Sequence, residues 1–486
     1  MKLLLTALLI SGVGDGLPVK SPSAVGMSAA RLATVDRVVS RGISAGGYPG
    51  AAVVVGRKGY AVWQKGFGRL DWTHADRVSP TETVYDLASL TKVVGTTTAI
   101  MVLYDEGRLQ LDATVQSYLP AFTGGLKDSV TIRQLLTHRS GLPASRDLWR
   151  IAHTPEEARA AVLATPLTCR PGTCFIYSDL GAATLGMLVE QISGVGLDQF
   201  LETRVFGPLG MKDTGFRPAA ALRDHIAPTE VTPPRGYPLR GEVHDENAYA
   251  LGGVSGHAGL FSTAADLSVF AQMVLNGGEY EGTRIISDST VRLFTTRAAG
   301  NRALGWASAD GTGGSGRFLG EGAFGHTGYT GTSLWIDPDR EMFVILLTNR
   351  VHAARAQRPA KVISDVRADL ADAAAVAVMD DPDGVLSMPP SFRADRAVGW
   401  NRPARSAKAR RGKASRSRST RSMKGRTSTS SRGKATASKS RSSKASASKA
   451  SASRSRASAS KSSVRKTPAK TPVKKPAKKA SASKRR

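Results

Sequence analysis

The chain has 486 residues and carries 68 Lys+Arg against 39 Asp+Glu, a formal net charge of +29. Of those cations, 30 lie from Asn401 onward, where there is no Asp or Glu, so the first 400 residues hold 38 basic and 39 acidic groups. This excludes a basic nucleic-acid-binding fold as the body of the protein and leaves a near-neutral globular segment, long enough for two sub-domains, with a cationic tail.

At the start, Met1-Lys2, an apolar run over residues 3–10 and the small residues Ser11-Gly12-Val13-Gly14 match a secretory signal peptide cut after Gly14 or Gly16. Three segments follow from this: residues 1–16 as signal peptide, 17–395 as the body and 396–486 as the tail. Export to the periplasm or beyond is expected, and no apolar run reaches the ~18 residues of a spanning helix.

Residues 28–40 read as a helix that Ser28 can cap, with Leu32, Val35, Val38 and Val39 on one face. Strands are predicted at 50–56 and 60–66, joined by the turn Arg57-Lys58-Gly59. A long apolar helix is predicted over 90–104. Shorter helices are predicted at 131–137, 155–164, 179–192, 197–205, 263–275 and 288–294. Strands at 325–336 and 341–347 flank the turn Asp337-Pro338-Asp339-Arg340, and a last helix spans 359–376. Strands thus sit at both ends of the body around a helical middle, which points to an antiparallel sheet with a helical insertion. From about Arg402 the Ser/Ala/Lys/Arg sequence has no apolar periodicity and reads as disordered.

Three motifs carry chemistry. Ser89-Leu90-Thr91-Lys92 is an S-x-x-K that opens an apolar helix, so its hydroxyl and amine lie one turn apart on the same face. Tyr177-Ser178-Asp179 precedes an amphipathic helix, and His326-Thr327-Gly328 lies within a strand. The S-x-x-K copies in the tail lack a setting that could fix two side chains. Gly42-Ile43-Ser44-Ala45-Gly46 matches a nucleophile elbow, but the order helix–motif–strand is the wrong one.

With these motifs, and with Leu135-Leu136-Thr137-His138-Arg139-Ser140-Gly141-Leu142, Val243-His244-Asp245-Glu246 and residues 252–262, the body resembles the serine β-lactamase and penicillin-binding protein superfamily. The likeness spans residues 24–352 and is to the class C-like, D-alanyl-D-alanine carboxypeptidase branch. It implies an α/β (α+β) fold: an antiparallel sheet flanked by helices, an all-helical lobe, and a groove between them. By the resemblance Ser89 is the nucleophile, Lys92 and Tyr177 share proton transfer, and the backbone N–H groups of Ser89 and Tyr329 form the oxyanion hole. Asp179, His326, Thr327 and Gly328 face substrate, and His257 is a candidate for lining the groove. The chain departs from the family pattern at two places, with Asp179 where Asn is common and His326 where β-lactamases usually have Lys.

Neither Lys92 nor Tyr177 is a base at neutral pH unaided. At unperturbed pKa values near 10.4 and 10, the reactive forms are roughly one part in 2,500 and one in 1,000. A carboxylate at 179 favours the Lys92 ammonium and opposes a Tyr177 phenolate, which leaves the identity of the base open, with Asp179 either held neutral or turned to pair with Lys92.

No cofactor is expected. His244-Asp245-Glu246 reads as a loop hydrogen-bond cluster rather than a metal site, and Cys169 and Cys174 are a candidate disulfide. The leading reading is an exported serine hydrolase acting through an acyl-enzyme on small amides, esters or D-alanyl peptides, with weak β-lactam hydrolysis included. The competing reading is a catalytically degenerate binding protein tethered by its tail. Without aromatics after Trp400, the tail suits sequence-blind binding to polyanions, envelope polymers ahead of nucleic acid.

Overall fold

The computed structural model describes residues 16–401 apart from 74, 353–356 and 382. The expected signal peptide, except Gly16, and the basic tail beyond Asn401 lie outside the described residues.

Six strands build the main sheet: β1 (Gly50–Arg57), β2 (Tyr60–Gly68), β3 (Ala307–Ser308), β4 (Phe324–Thr327), β5 (Ser333–Asp337) and β6 (Met342–Thr348). Their spatial order is β2-β1-β6-β5-β4-β3, antiparallel at every pairing. The first and last parts of the body therefore meet at the β1–β6 pair, Ala51 opposite Thr348.

Strand periodicity sends alternate side chains into two cores. Val53, Val55, Val344 and Leu346 pack beneath α1 (Thr34–Ser44) and a long helix, Pro359–Ala375, with Val35, Val39, Val362 and Val366. Val54, Ile345 and Leu347 face the other way, into the larger core under the helix Ala264–Leu275 and the helical middle. Both faces are covered, which is why β1 and β6 are buried along their whole length.

The structure corrects three expectations. The predicted strand 325–336 is two strands, β4 and β5, folded back on each other around Gly328–Thr332, with Thr327 opposite Ser333. Glycine makes the fold-back possible: Gly331 has φ +117°, and a Cβ at Gly328 would sit 2.3 Å from the Leu87 carbonyl oxygen. The predicted helix 90–104 is wound in three pitches, a 3₁₀ turn at Ala88–Leu90, π turns over Thr91–Thr97, and α2 (Thr98–Asp105). Thr98 Oγ1 donates to the Val93 carbonyl five residues back, at 2.9 Å. The packed body also passes residue 395, since Trp400 is 2% exposed in the core and its Nε1 donates to Asp365 at 2.7 Å.

Candidate active site

Ser89 sits in the 3₁₀ turn that starts the Lys92 helix, just after a backbone held in an unusual shape. Ala88 has φ +48°, a conformation that costs a non-glycine residue of order 1–3 kcal/mol. Asp86 restrains it by accepting from Ala88 N at 2.8 Å through one carboxylate oxygen and from His244 N at 2.7 Å through the other. Two threonines of the β4–β5 turn also grip this segment. Thr330 Oγ1 donates to the Asp86 carbonyl at 2.8 Å and Thr332 Oγ1 to the Leu87 carbonyl at 2.9 Å. From Pro359–Ala375, Arg367 Nη2 donates to the carbonyls of Gly328 (2.6 Å) and Thr332 (2.8 Å). The turn and the Ser89 segment are thereby held as one piece. The N–H groups of Ser89 and Tyr329 have no intramolecular acceptor among the described residues, and both residues line one groove.

Lys92 is buried, 3% exposed, in the π turns. Its Nζ lies 3.0 Å from Ser89 Oγ, 3.0 Å from the His257 carbonyl oxygen and 2.7 Å from Asp179 Oδ1. Three acceptors match the three N–H bonds of an ammonium. Burial alone would lower the Lys92 pKa. The charges of Tyr177 and Asp179, and the hydrogen bond to Asp179, outweigh it and hold the amine above the ordinary lysine range. Thr91 and Thr96 pin the helix to residues 256–260: Thr91 Oγ1 accepts from Leu260 N at 3.1 Å, and Thr96 Oγ1 donates to the Gly256 carbonyl at 2.8 Å.

Tyr177-Ser178-Asp179 enters α3 (Asp179–Ser193), which Ser178 caps by accepting from Gly181 N. The loop 138–144 positions it. His138 Nδ1 accepts from Ser178 N at 3.1 Å, Ser178 Oγ donates to the Pro143 carbonyl at 2.7 Å, and Asp179 N donates to the Ala144 carbonyl at 2.8 Å. The Cys169–Cys174 disulfide, with Cα atoms 6.6 Å apart, closes a loop against the same segment. There Gly172 N donates to the Arg139 carbonyl and Thr168 N to the Gly141 carbonyl. Tyr177 ends with its ring 5.0 Å from Lys92 Nζ, stacked on His326 at 5.9 Å and against His138 at 4.5 Å.

His326 is buried, and its Nδ1 donates to the Thr327 carbonyl at 2.9 Å, which leaves the lone pair on Nε2. Nε2 has no partner among the described residues. Burial, followed by the cations Arg302 and Lys92, pushes its pKa well below the ordinary histidine value. The imidazole is neutral at pH 7. Ser89, Tyr177, His326, Thr327, Gly328 and Tyr329 all line a groove of about 420 Å³. A larger cavity, about 640 Å³, lies between Trp149, Pro155, Tyr249 and Phe261 and contains none of them; chemistry, not size, selects the site.

Of the two arrangements the sequence left open for Asp179, the structure has the pairing with Lys92, so the carboxylate does not line the groove as a substrate contact. The His257 side chain turns away from the groove into a buried string, with Nδ1 2.7 Å from Ser255 Oγ and Nε2 2.9 Å from Asp245 Oδ1; only its carbonyl reaches Lys92. His244, Asp245 and Glu246 diverge to Glu230, His257 and Thr232 respectively. Ser44 closes α1 with its Oγ donating to the Ser40 carbonyl at 2.9 Å, so the elbow-like motif is a helix end.

Residues 35–368 match the Beta-lactamase family. The chain belongs to that family. Among Beta-lactamase family relatives, an Escherichia coli K12 protein named "Putative D-alanyl-D-alanine carboxypeptidase" is 33% identical over 377 residues, 68% of this chain and 85% of its own. A protein of the same name from Salmonella schwarzengrund is 35% identical, covering 69% and 87%. Among solved structures, a penicillin-binding protein homolog from Caulobacter crescentus superposes with a TM-score of 0.58 at 23% identity, covering 72% of this chain and 98% of its own. A hydrolase with promiscuous acyltransferase activity gives 0.56 at 24% identity, covering 70% and 98%. These superpositions establish a shared β-lactamase/transpeptidase-like fold, and the family relationship makes the chain a serine hydrolase homologue.

Sequence reading missed the Thr330 and Thr332 struts, the Arg367 clamp and the Ser255–His257–Asp245 string. The only signal for the threonines was their place in Thr327-Gly328-Tyr329-Thr330-Gly331-Thr332. Arg367 lies in a helix read only for its alanines.

Proposed function

We propose that the protein is a serine acyl hydrolase that works through an acyl-enzyme on Ser89, with D-alanyl peptides and small esters or amides as substrates. The observation that carries this reading is the set of contacts at Lys92, an ammonium 3.0 Å from Ser89 Oγ with its other bonds satisfied by Asp179 and the His257 carbonyl.

A lysine held protonated is not the group that removes the Ser89 proton. Lys92 instead orients Ser89 Oγ by donating to it; once Tyr177 has given its own phenol proton to water, the hydroxyl proton passes to the phenolate oxygen as Oγ bonds the acyl carbon. The oxygen anion that forms is received by the free N–H groups of Ser89 and Tyr329. Tyr177 then returns the proton to the leaving group as its bond to carbon breaks. Water repeats the sequence in reverse and releases the acid and free Ser89. The carboxylate at 179 fixes the ammonium and so leaves proton removal to Tyr177, while the same negative charge opposes a phenolate there.

Labelling with a fluorophosphonate and a fluorescent penicillin, with Ser89→Ala as control, tests the assignment. Wild-type label above the control, with turnover of an ester or a D-alanyl-D-alanine peptide, is the expected result. Absence of both leaves the degenerate binding-protein reading. A turnover panel of ester, peptide and β-lactam separates carboxypeptidase from esterase type, and the relatives' name favours the peptide.

Export and tail-mediated binding belong to the same proposal. A protein truncated after Asn401 should keep its ester turnover and lose its retention on heparin, because the 30 tail cations are gone.

A further inference from the structure

The β4–β5 turn holds its shape without needing a charge. Gly328 N donates to the Thr332 carbonyl at 2.8 Å and Gly331 N to the Gly328 carbonyl at 3.1 Å, so the main chain closes the turn on itself. The hydroxyls of Thr330 and Thr332 then anchor it to the carbonyls of Asp86 and Leu87. A cation nevertheless sits on it. Arg367, half-buried on the helix Pro359–Ala375, donates through Nη2 to the Gly328 carbonyl at 2.6 Å and to the Thr332 carbonyl at 2.8 Å.

Keeping a cation there carries a desolvation cost. Among the described residues no carboxylate pairs with Arg367, and its Nε is buried without a partner. Burial, followed by the charge of Arg350, lowers its pKa to about 9, so the guanidinium is still charged at pH 7. Its acceptors are two main-chain dipoles rather than a counter-ion, an arrangement that desolvation disfavours unless the charge does something a neutral group could not.

The identity of the first acceptor supplies that role. The Gly328 carbonyl and the Tyr329 N–H belong to one peptide group, joined by a delocalised C–N bond. A hydrogen bond to the oxygen, above all from an ion, draws electron density off the nitrogen and makes the N–H a stronger donor. Tyr329 N has no acceptor among the described residues, and Tyr329 lines the groove with Ser89.

Resting on the acyl hydrolase reading, we infer that Arg367 is a positioning residue that acts through the Gly328–Tyr329 peptide: its charge polarises that peptide and strengthens the Tyr329 N–H as a donor to the anionic oxygen of the tetrahedral intermediate. The gain is larger for that anion than for the neutral carbonyl of bound substrate, so it enters kcat more than KM.

Three substitutions separate charge from shape. Arg367→Met removes donor and charge, Arg367→Gln keeps a neutral donor, and Arg367→Lys keeps a charged one. In Arg367→Met, kcat for a small ester should fall about tenfold with KM within about twofold, less than the roughly 10²–10³ of a lost oxyanion donor. Arg367→Lys should recover most of that loss and Arg367→Gln little of it. The direct readout is the carbonyl stretch of the acyl-enzyme on Ser89, recorded by rapid-mixing, isotope-edited infrared with a penicillin labelled with carbon-13 at its β-lactam carbonyl. A weaker oxyanion hole leaves the acyl bond more double in character. The band should therefore move to higher wavenumber in Arg367→Met and Arg367→Gln and stay near wild type in Arg367→Lys. A band unmoved in Arg367→Met would overturn the proposal. So would Arg367→Gln matching Arg367→Lys in band and kcat, which is what a purely mechanical clamp gives. Thermal unfolding reports whether Arg367→Met folds; if it does not, the comparison of Arg367→Gln with Arg367→Lys decides alone. A wild-type acyl-enzyme whose band ignores these changes defeats this inference only, whereas a wild type that forms no acyl-enzyme defeats the hydrolase reading and this inference with it.

Discussion

On the helical side of the groove, Tyr177 and the Lys92–Asp179 pair behind it are held by contacts between side chains. On the strand side, the β4–β5 turn offers main-chain N–H groups whose position depends on two glycines, two threonine hydroxyls and one arginine. The first wall contains charges that must balance in a water-poor setting, so one altered charge changes the protonation of its neighbours. The second contains dipoles that have to stay still. Ionised side chains on one wall and held dipoles on the other imply different failures on mutation.

The sharpest way to break this contrast is to remove the charge. Lys92→Met should lower kcat/KM for a small ester by roughly 10³-fold or more, because an interdependent catalytic unit fails together. A loss below tenfold, read by steady-state kinetics, would remove the helical wall from the chemistry. Next, Thr332→Val frees the turn from the Leu87 carbonyl and should lower kcat by about 10–100-fold with little change in KM, as expected for a displaced oxyanion donor. A matching rise in KM would place the turn in ground-state binding instead.

A smaller effect should come from the buried string behind Lys92. At Asp245, burial alone would raise the pKa, but the interactions with His257 and the following N–H groups hold the carboxylate well below its usual range. Asp245→Asn should loosen the His257 carbonyl and reduce kcat by about tenfold, with a changed pH profile as the readout that a purely structural role would not move.

The smallest effect concerns stability. His138 and His326, each buried, have pKa values well below the ordinary one. Below pH about 6.5 the unfolded chain takes up protons that the folded chain refuses, so stability falls as pH falls, by up to ~1.4 kcal/mol per pH unit for each. Denaturant unfolding at pH 7 and 5 should show the drop, and His326→Gln should flatten part of it. An unchanged slope in that variant would mean His326 titrates normally.

Much of this was legible in the chain. Helices with strong caps, such as Pro155–Ala164 and Ala264–Leu275, lie where caps and periodicity put them. The strands at both ends of the body do pair. The β4–β5 break was hidden because Gly328 and Gly331 look like ordinary strand glycines until a partner segment presses on them. The π turns were hidden because Thr98 and Thr91 bond to groups whose proximity depends on the fold. His257 was kept as a candidate for the groove beside a structural hydrogen-bonding role because nothing local tells which way an imidazole in a glycine-rich loop will turn.

Local chemistry in the sequence determined that Ser89 and Lys92 share a helix face, that Tyr177 sits at a helix start and that alternating apolar residues make a two-faced sheet. These follow from backbone periodicity, which needs no distant partner. Tertiary structure alone decided that Asp179 pairs with Lys92 and that His326 is neutral. Protonation and hydrogen bonding depend on burial and on neighbours far away in the chain, and only folding brings these together.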